Sequence, residues 1–175
     1  EKLHSEIDIQ ASLDHPNLLR SFGHFEDYRN YYILLELCPG HTVRDLLRKN
    51  GRLTEAETIR ITRQVLEGLQ YLHDSRIIHR DLKLENYLIA SDGTVKIADF
   101  GLSAKLDHDD ERKYTVCGTP NYFCPELLSS KREGHSYEVD IWAVGVSVYT
   151  MLVGQTPFQT RYKKLTYEHI KSCTY

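Results

Sequence analysis

The chain has 175 residues, of which 41% are hydrophobic and 27% charged, with a formal net charge of −3. That length and apolar share suit one ordinary globular core. Both signs of charge are mixed along the chain, which argues against a nucleic-acid-binding or lipid-binding surface. Cys38, Cys117, Cys124 and Cys173 show neither zinc-ligand spacing nor a disulfide framework, a usage that favours a reducing compartment. The longest apolar run, 141–153, is too short to span a bilayer and reads as a buried helix. No secretory signal is legible at the amino end, so the expected setting is intracellular and cytoplasmic.

In chain order, Leu3, Ile7 and Ala11 recur at helical spacing with no cap before them, so the sequence reads as a fragment entered in mid-helix. This helix, 1–13, is expected to stop at Asp14-His15-Pro16-Asn17, where proline restricts the residue before it. Residues 18–25 and 31–37 read as strands joined around 26–30. Pro39-Gly40 then breaks the chain before a short helix over 41–49. Thr54-Glu55-Ala56-Glu57 forms a capping box, the hydroxyl accepting from the N–H three residues on and the carboxylate reaching back. It opens a helix running to about His73, whose Ile59, Ile61, Val65, Leu66, Leu69 and Leu72 predict a broad face given to the core.

Residues 79–86, His-Arg-Asp-Leu-Lys-Leu-Glu-Asn, are the stretch the rest is arranged around. Ile77 and Ile78 precede it and Tyr87, Leu88 and Ile89 follow, so it reads as a polar loop between short strands on which Asp81, Lys83 and Asn86 can converge. Residues 87–89 and 95–98 are β-rich and separated by a turn containing Asp92-Gly93, which predicts a hairpin. A hairpin returns the chain, so Asp99 of Asp99-Phe100-Gly101 is expected near Asn86. One amide oxygen and a carboxylate suit a hard cation that keeps some waters and shares phosphate oxygens, namely Mg2+. Either triplet alone reads equally well as a polar turn. The two in order, with Lys83 and Asn86 at their offsets, point to phosphoryl chemistry.

Residues 99–126 form a long, charged connection, and such loops in a compact domain are usually functional or mobile. Arg80 has no anionic partner in its own loop. A phosphate on Thr115 would supply one that a guanidinium can grip in a forked geometry; the plain alternative for Thr115 is a solvated hydroxyl. From Glu138 a helix carries Trp142, Val144, Val146, Val148, Met151 and Leu152 almost all round and is expected to be buried on several sides. Asp140 near its start cannot be buried unpaired without heavy cost. Residues 163–172 read as one further helix.

The His79-Arg80-Asp81, Lys83, Asn86 and Asp99-Phe100-Gly101 set resembles the catalytic and metal loops of protein kinases. The resemblance implies an α+β, two-lobe kinase fold in truncated form, with 1–38 from the small lobe and 39–175 from the large one. It implies ATP and Mg2+ as cofactors, Asp81 aiming the attacking hydroxyl, Lys83 giving charge to the transferring group, and Asn86 and Asp99 holding metal. Leu35 would be the gatekeeper, Glu36 and Cys38 the adenine-binding hinge, and Glu85 and Leu88 further nucleotide contacts. Glu6 would be the ion-pairing acid of the small-lobe helix, although spacing alone leaves it on a solvated face. Thr115 would be the activation site for an upstream kinase, and Thr119 a hydroxyl bonding Asp81 and Lys83. His79, Phe100, Gly101 and Glu126 would be structural, with Gly101 supplying a sharp turn beside Asp99. Asp140 would hold the backbone of the catalytic loop.

Lys83 and Thr119 place the resemblance among serine/threonine kinases. Leu35-Glu36-Leu37-Cys38, Glu111-Arg112-Lys113, Cys117-Gly118-Thr119-Pro120-Asn121-Tyr122 and Gly134-His135-Ser136-Tyr137-Glu138-Val139-Asp140 resemble the polo-like group. That implies protein substrates with serine or threonine in an acidic context, a cell-cycle role, and a cytoplasmic, nuclear or centrosomal location. The sequence departs from the pattern in having no Gly-x-Gly-x-x-Gly, no lysine-bearing strand before Glu6, cysteine rather than alanine at 124, and a longer 129–133 stretch. The arginine partner expected for Glu126 is also lacking. The chain alone is therefore expected to be inactive. A pseudokinase or nucleotide-binding scaffold is the alternative reading.

Overall fold

The structure is a computed structural model that describes residues 2–129 and 133–175, with side chains from residue 7 onward at the amino end. The side chain of Glu6 and the middle of the 129–133 stretch lie outside the described residues. Helix α1 (Lys2–Ala11) leads into the Asp14-His15-Pro16-Asn17 turn, which does more than stop it. Asn17 is buried, and its Nδ2 donates to the Val95 carbonyl at 3.0 Å and to Gln64 Oε1 at 3.3 Å. The backbone then exchanges bonds with Ile97, whose N–H donates to Asn17 O while Leu19 N–H donates to Ile97 O, both at 2.8 Å. Residues 18–20, expected to begin a strand, thus form one parallel bridge, Leu18 to Ile97. The antiparallel hairpin β1 (Ser21–Glu26) and β2 (Tyr31–Leu35) follows them.

Two capped helices carry the chain onward. α2 (Val43–Asn50) opens on a box between Thr42 and Asp45, which the same Thr-x-x-acid pattern at 42–45 could have revealed. α3 (Glu55–Asp74) opens on the expected box, Glu57 N–H donating to Thr54 Oγ1 at 3.2 Å and Thr54 N–H to Glu57 Oε2 at 2.9 Å. Its buried stripe is Thr58, Ile61, Val65, Gly68, Leu69 and Leu72. Ile59 and Leu66 are not part of it: they are 67% and 43% exposed. They lie seven residues apart, on a neighbouring row that faces an open groove shared with Val148 and Leu152 rather than the closed core.

β3 (Ile77–Ile78) pairs antiparallel with β6 (Ala104–Lys105), and β4 (Tyr87–Ile89) with β5 (Val95–Ile97). α4 (Glu138–Val153) buries Val139, Asp140, Ala143, Val144, Val146, Ser147, Thr150 and Met151, while Ile141, Leu152 and Val153 remain exposed. The expectation of burial on several sides holds for only part of its surface, because α3 covers one side and the groove leaves another open. Gly154 ends α4 at φ 94°, and a Cβ there would stand 2.5 Å from the Gly51 carbonyl oxygen. The ends of α2 and α4 therefore meet through two glycines. α5 (Lys163–Ser172) buries Ile170, and its Tyr167 stacks on Phe123.

Candidate active site

The loop at 79–86 is built by alternation. Leu82 and Leu84 are fully buried, and each fixes one backbone position in the core, so Asp81, Lys83 and Glu85 fall on the other side of the chain. β3 holds the loop at one end, and a 3₁₀ turn, Leu84–Asn86, runs into β4 at the other. Arg80 sits at φ 68°, a left-handed conformation that costs a non-glycine residue about 1–2 kcal/mol.

Asp140 holds it there. Its Oδ1 accepts from Arg80 N–H at 2.8 Å and its Oδ2 from His79 N–H at 2.9 Å. Oδ2 also accepts from His73 Nε2 at 2.9 Å. Three donors around one carboxylate offset the cost of burying it completely. His73, near the end of α3, was not legible as a partner in the sequence.

His79 is fully buried as well, and burial pushes its imidazole below the ordinary histidine range. The partners assign its tautomer: Nε2–H donates to Ala98 O at 3.1 Å, while Nδ1 accepts from Asp81 N–H at 3.2 Å. Phe100 packs edge-on against the ring at 5.3 Å between centroids.

At the loop's apex, Asp81 Oδ2 meets Lys83 Nζ at 2.6 Å. Asp81 Oδ1 accepts from Thr119 Oγ1 at 2.7 Å, and Thr119 Oγ1 accepts from Lys83 Nζ at 3.0 Å. Asn86 Nδ2 donates to the Asp81 carbonyl at 2.9 Å, and the Asn86 carbonyl accepts from Ala98 N–H at 2.9 Å. The amide group is oriented by the first bond, and its Oδ1 is left over. In the β4–β5 register Tyr87 faces Ile97, so Asn86 and Asp99 flank the same end of the hairpin. Asp99 is exposed, and its one side-chain bond among the described residues is a long one from Gly101 N–H, 3.4 Å. The sharp backbone expected at Gly101 falls instead on Asp99, at φ 65°. Aspartate is one of the few side chains that tolerates this region.

Of the other predicted residues, Leu35 ends β2 opposite Ser21 and is 42% exposed. Glu36 donates its N–H to Arg20 O at 2.9 Å and pairs through its carboxylate with Lys96 Nζ at 2.9 Å. Lys96, buried on β5, also donates to Pro16 O at 2.9 Å and stands opposite Leu88. Glu36 and Leu88 are thereby linked to the hairpin that carries Asn86 and Asp99. Cys38 is half-buried, and burial, with Glu36 nearby, pushes its thiol up. Glu85 pairs with Arg44 at 3.6 Å. Glu126 lies in a 3₁₀ turn next to Cys124, whose thiol burial pushes up to about 12. Thr115 is exposed and makes no hydrogen bond among the described residues, and Arg80 makes no ion pair among them; Arg80 Nε donates to Leu102 O at 2.7 Å.

The charged connection, expected to be functional or mobile, is pinned at several points. Arg76 pairs with Asp109 at 2.9 Å and Lys113 with Glu111 at 2.5 Å. Arg112 donates to the Glu133 carbonyl at 2.8 Å and pairs with Glu138, and Lys113 exchanges two backbone bonds with His135 at 2.8 Å each. Among the described residues no group of three His, Cys, Asp or Glu side chains could hold a metal unaided, and no helix is long and apolar enough to cross a membrane.

A polar loop clamped by a buried aspartate, a hairpin returning a second carboxylate to it, and helices packed behind them define a protein kinase domain. Residues 1–174 match the family model described as "Protein kinase domain", and the chain belongs to that family. Within it the chain is similar to polo-like serine/threonine kinases. It is 53% identical over 175 residues to "Probable serine/threonine-protein kinase CCRP1" of Zea mays, covering all of this chain and 28% of that protein. It is 49% identical over 175 residues to "Serine/threonine-protein kinase polo" of Drosophila melanogaster, covering all of this chain and 30% of that protein. Against "Cell cycle serine/threonine-protein kinase CDC5/MSD2" of Saccharomyces cerevisiae the identity is 50% over 171 residues, 98% of this chain and 24% of that protein. The chain thus spans less than a third of the length of each of these relatives.

Proposed function

We propose that the chain is part of the catalytic domain of an ATP-dependent serine/threonine kinase of polo-like type, residues 1–38 contributing to the small lobe and 39–175 to the large one. The observation that carries this reading is the Asp81–Lys83–Thr119 cluster, tied through Asn86 to the hairpin end that presents Asp99. A relative named for the cell cycle supports a role there, and the substrates proposed are proteins with acidic residues near the target hydroxyl.

The donor set fits Mg2+. Asn86 keeps Oδ1 free because its Nδ2 is committed to Asp81 O, and Asp99 presents an exposed carboxylate. Among the described residues no three His, Cys, Asp or Glu side chains are grouped to enclose a metal, and two such oxygen ligands suit a small hard cation that completes its shell with water and phosphate. When bound, the metal and ATP supply the electrophilic phosphoryl group and neutralise charge on its oxygens.

The chain's own part is positioning. An ionised carboxylate offers about four lone-pair directions, so Asp81 can hold Lys83 and Thr119 and still accept from a substrate hydroxyl, aiming its oxygen and taking the proton late. Lys83, shared between Asp81 and Thr119, places positive charge beside that oxygen. Backbone groups at Glu36 and Cys38 bind the adenine, with Leu35, Glu85 and Leu88 around the nucleotide. Regulation falls on Thr115: a phosphate there gives the Arg80 guanidinium the anion it lacks. The test is phosphorylation of casein by the full-length protein with ATP and Mg2+. The expected result is transfer that disappears in Asp99→Asn; transfer of unchanged rate in that variant would overturn the reading.

A further inference from the structure

His135 is 3% exposed, yet among the described residues its Nε2 has no hydrogen-bond partner, and the neighbouring Ser136 hydroxyl, in a residue 5% exposed, has none either. Buried polar atoms are nearly always satisfied, so orphaned atoms on two successive residues call for a partner from outside the described residues, a water, an ion or a ligand. The position of His135 is fixed. Its backbone exchanges two bonds with Lys113, and Gly134, at φ 72°, lets the 111–113 stretch lie against it, since a Cβ there would come 2.8 Å from Arg112 Cβ.

From Lys113 the chain runs to Gly118, where a Cβ would stand 2.6 Å from the Arg80 carbonyl oxygen. This stretch therefore starts at His135 and finishes at Arg80, with Thr115 between. At about 3.3 Å per extended residue, Thr115 lies within about 7 Å of Lys113 and about 10 Å of Gly118 along the chain. Tyr114, Thr115 and Val116 are all exposed, so the residue between the two anchors can turn onto either.

The charges facing His135 are Arg80, Arg112, Glu138 and Asp140. Burial first, then the guanidinia of Arg80 and Arg112, push its imidazole below the ordinary range, while the two carboxylates act the other way. Those carboxylates are already engaged, Glu138 with Arg112 and Asp140 with its three donors. Among the described residues the surroundings of His135 thus hold two cations and no uncommitted anion.

We propose that His135 is a second ligand, beside Arg80, for a phosphate carried on Thr115. The inference rests on the reading of Thr115 as the modified residue and deepens it by naming the side chain that completes the site. The dianion accepts from the Arg80 guanidinium and from His135 Nε2–H, and the imidazole takes up one proton from solvent as the dianion settles against it.

The test is a 31P NMR pH titration of the full-length protein phosphorylated on Thr115, compared with its His135→Asn and Arg80→Gln variants. Free phosphothreonine loses its second proton near pH 6, and two cationic neighbours should lower that value by about one unit. The expected result is that His135→Asn and Arg80→Gln each recover about half of the shift. A His135→Asn titration identical to wild type, with Arg80→Gln still shifted, overturns the assignment of His135 while leaving Thr115 and Arg80 standing. A phosphate titrating like the free amino acid in all three proteins removes both readings. Should His135→Asn not fold, the His135 ring carbon shifts of the otherwise wild-type protein decide. They should report a protonated ring at pH 6.5 in the phosphorylated form and a neutral one in Thr115→Val, and a neutral ring in both overturns the proposal.

Discussion

Replacing Asp140 with asparagine removes one charge and changes one atom, and it tests whether this buried side chain sets the geometry of the catalytic loop. The carboxylate accepts from Arg80 N–H, His79 N–H and His73 Nε2, all within 2.9 Å. With the amide oxygen in place of Oδ2, the bonds from His79 and His73 persist but lose their charge assistance, about 1 kcal/mol each. The amide NH2 then faces Arg80 N–H, leaving that buried donor unsatisfied at about 1–3 kcal/mol. Flipping the amide loses two bonds instead of one, so the expected destabilisation is about 3–5 kcal/mol, a large part of a typical domain's stability. Arg80 also loses the acceptor that holds it in the left-handed region, so Asp81 shifts, and misplacement of that kind can cost about 10²-fold in turnover. Urea unfolding of the full-length protein and kcat on casein measure the two effects. A stability change under about 1 kcal/mol with unaltered kcat would refute the assignment of Asp140 as the holder of the loop.

Stability should also depend on pH through His79. Its folded value is depressed by burial while the unfolded chain keeps an ordinary one near 6.5, so below pH 6.5 the unfolded state binds more protons. The contribution is complete above pH 6.5 and is lost as pH falls through the folded value, by up to about 1.4 kcal/mol per pH unit. Denaturation midpoints between pH 7.5 and 5, a window above the carboxylate range, should decline toward acid, and a flat profile would contradict a neutral buried His79. Gly154→Ala places a Cβ 2.5 Å from the Gly51 carbonyl at a positive φ. It should lower stability by more than about 1 kcal/mol, and thermal melting at wild-type stability would show that the two helix ends separate freely.

The elements legible in the sequence are those whose determinants are local. Thr54 and Glu57 announce α3 because a capping box is closed within four residues, and the polar loop is legible because Leu82 and Leu84 alternate with Asp81, Lys83 and Glu85. The hairpin from 87 to 97 follows from its Asp92-Gly93 turn, and with it the approach of Asn86 to Asp99. What was missed depends on partners remote in sequence. Asn17 reads as a turn residue, but its partners are Gln64 and Val95. His73 reads as the polar end of a helix until α4 brings Asp140 to it. Lys96, inside the β-rich run 95–98, is buried between Pro16 and Glu36, partners about 80 and 60 residues upstream that no local pattern announces. Arg112 reads as one more charge in the connection because its partners, Glu133, Gly134 and Glu138, lie more than twenty residues downstream. β6, two residues long, is too short for any period to register, whereas its partner β3 is legible in Ile77 and Ile78 ahead of the loop.

In the proposed function Asp81 acts on the substrate hydroxyl and not on the nucleotide. The most direct test is single-turnover phosphoryl transfer to casein by wild-type and Asp81→Asn full-length protein, with MgATP affinity measured in the same samples. The expected result is unchanged affinity and transfer slowed by about 10²–10⁴-fold, the usual worth of a positioned base. Transfer at the wild-type rate, or a loss explained wholly by weaker MgATP binding, would contradict it.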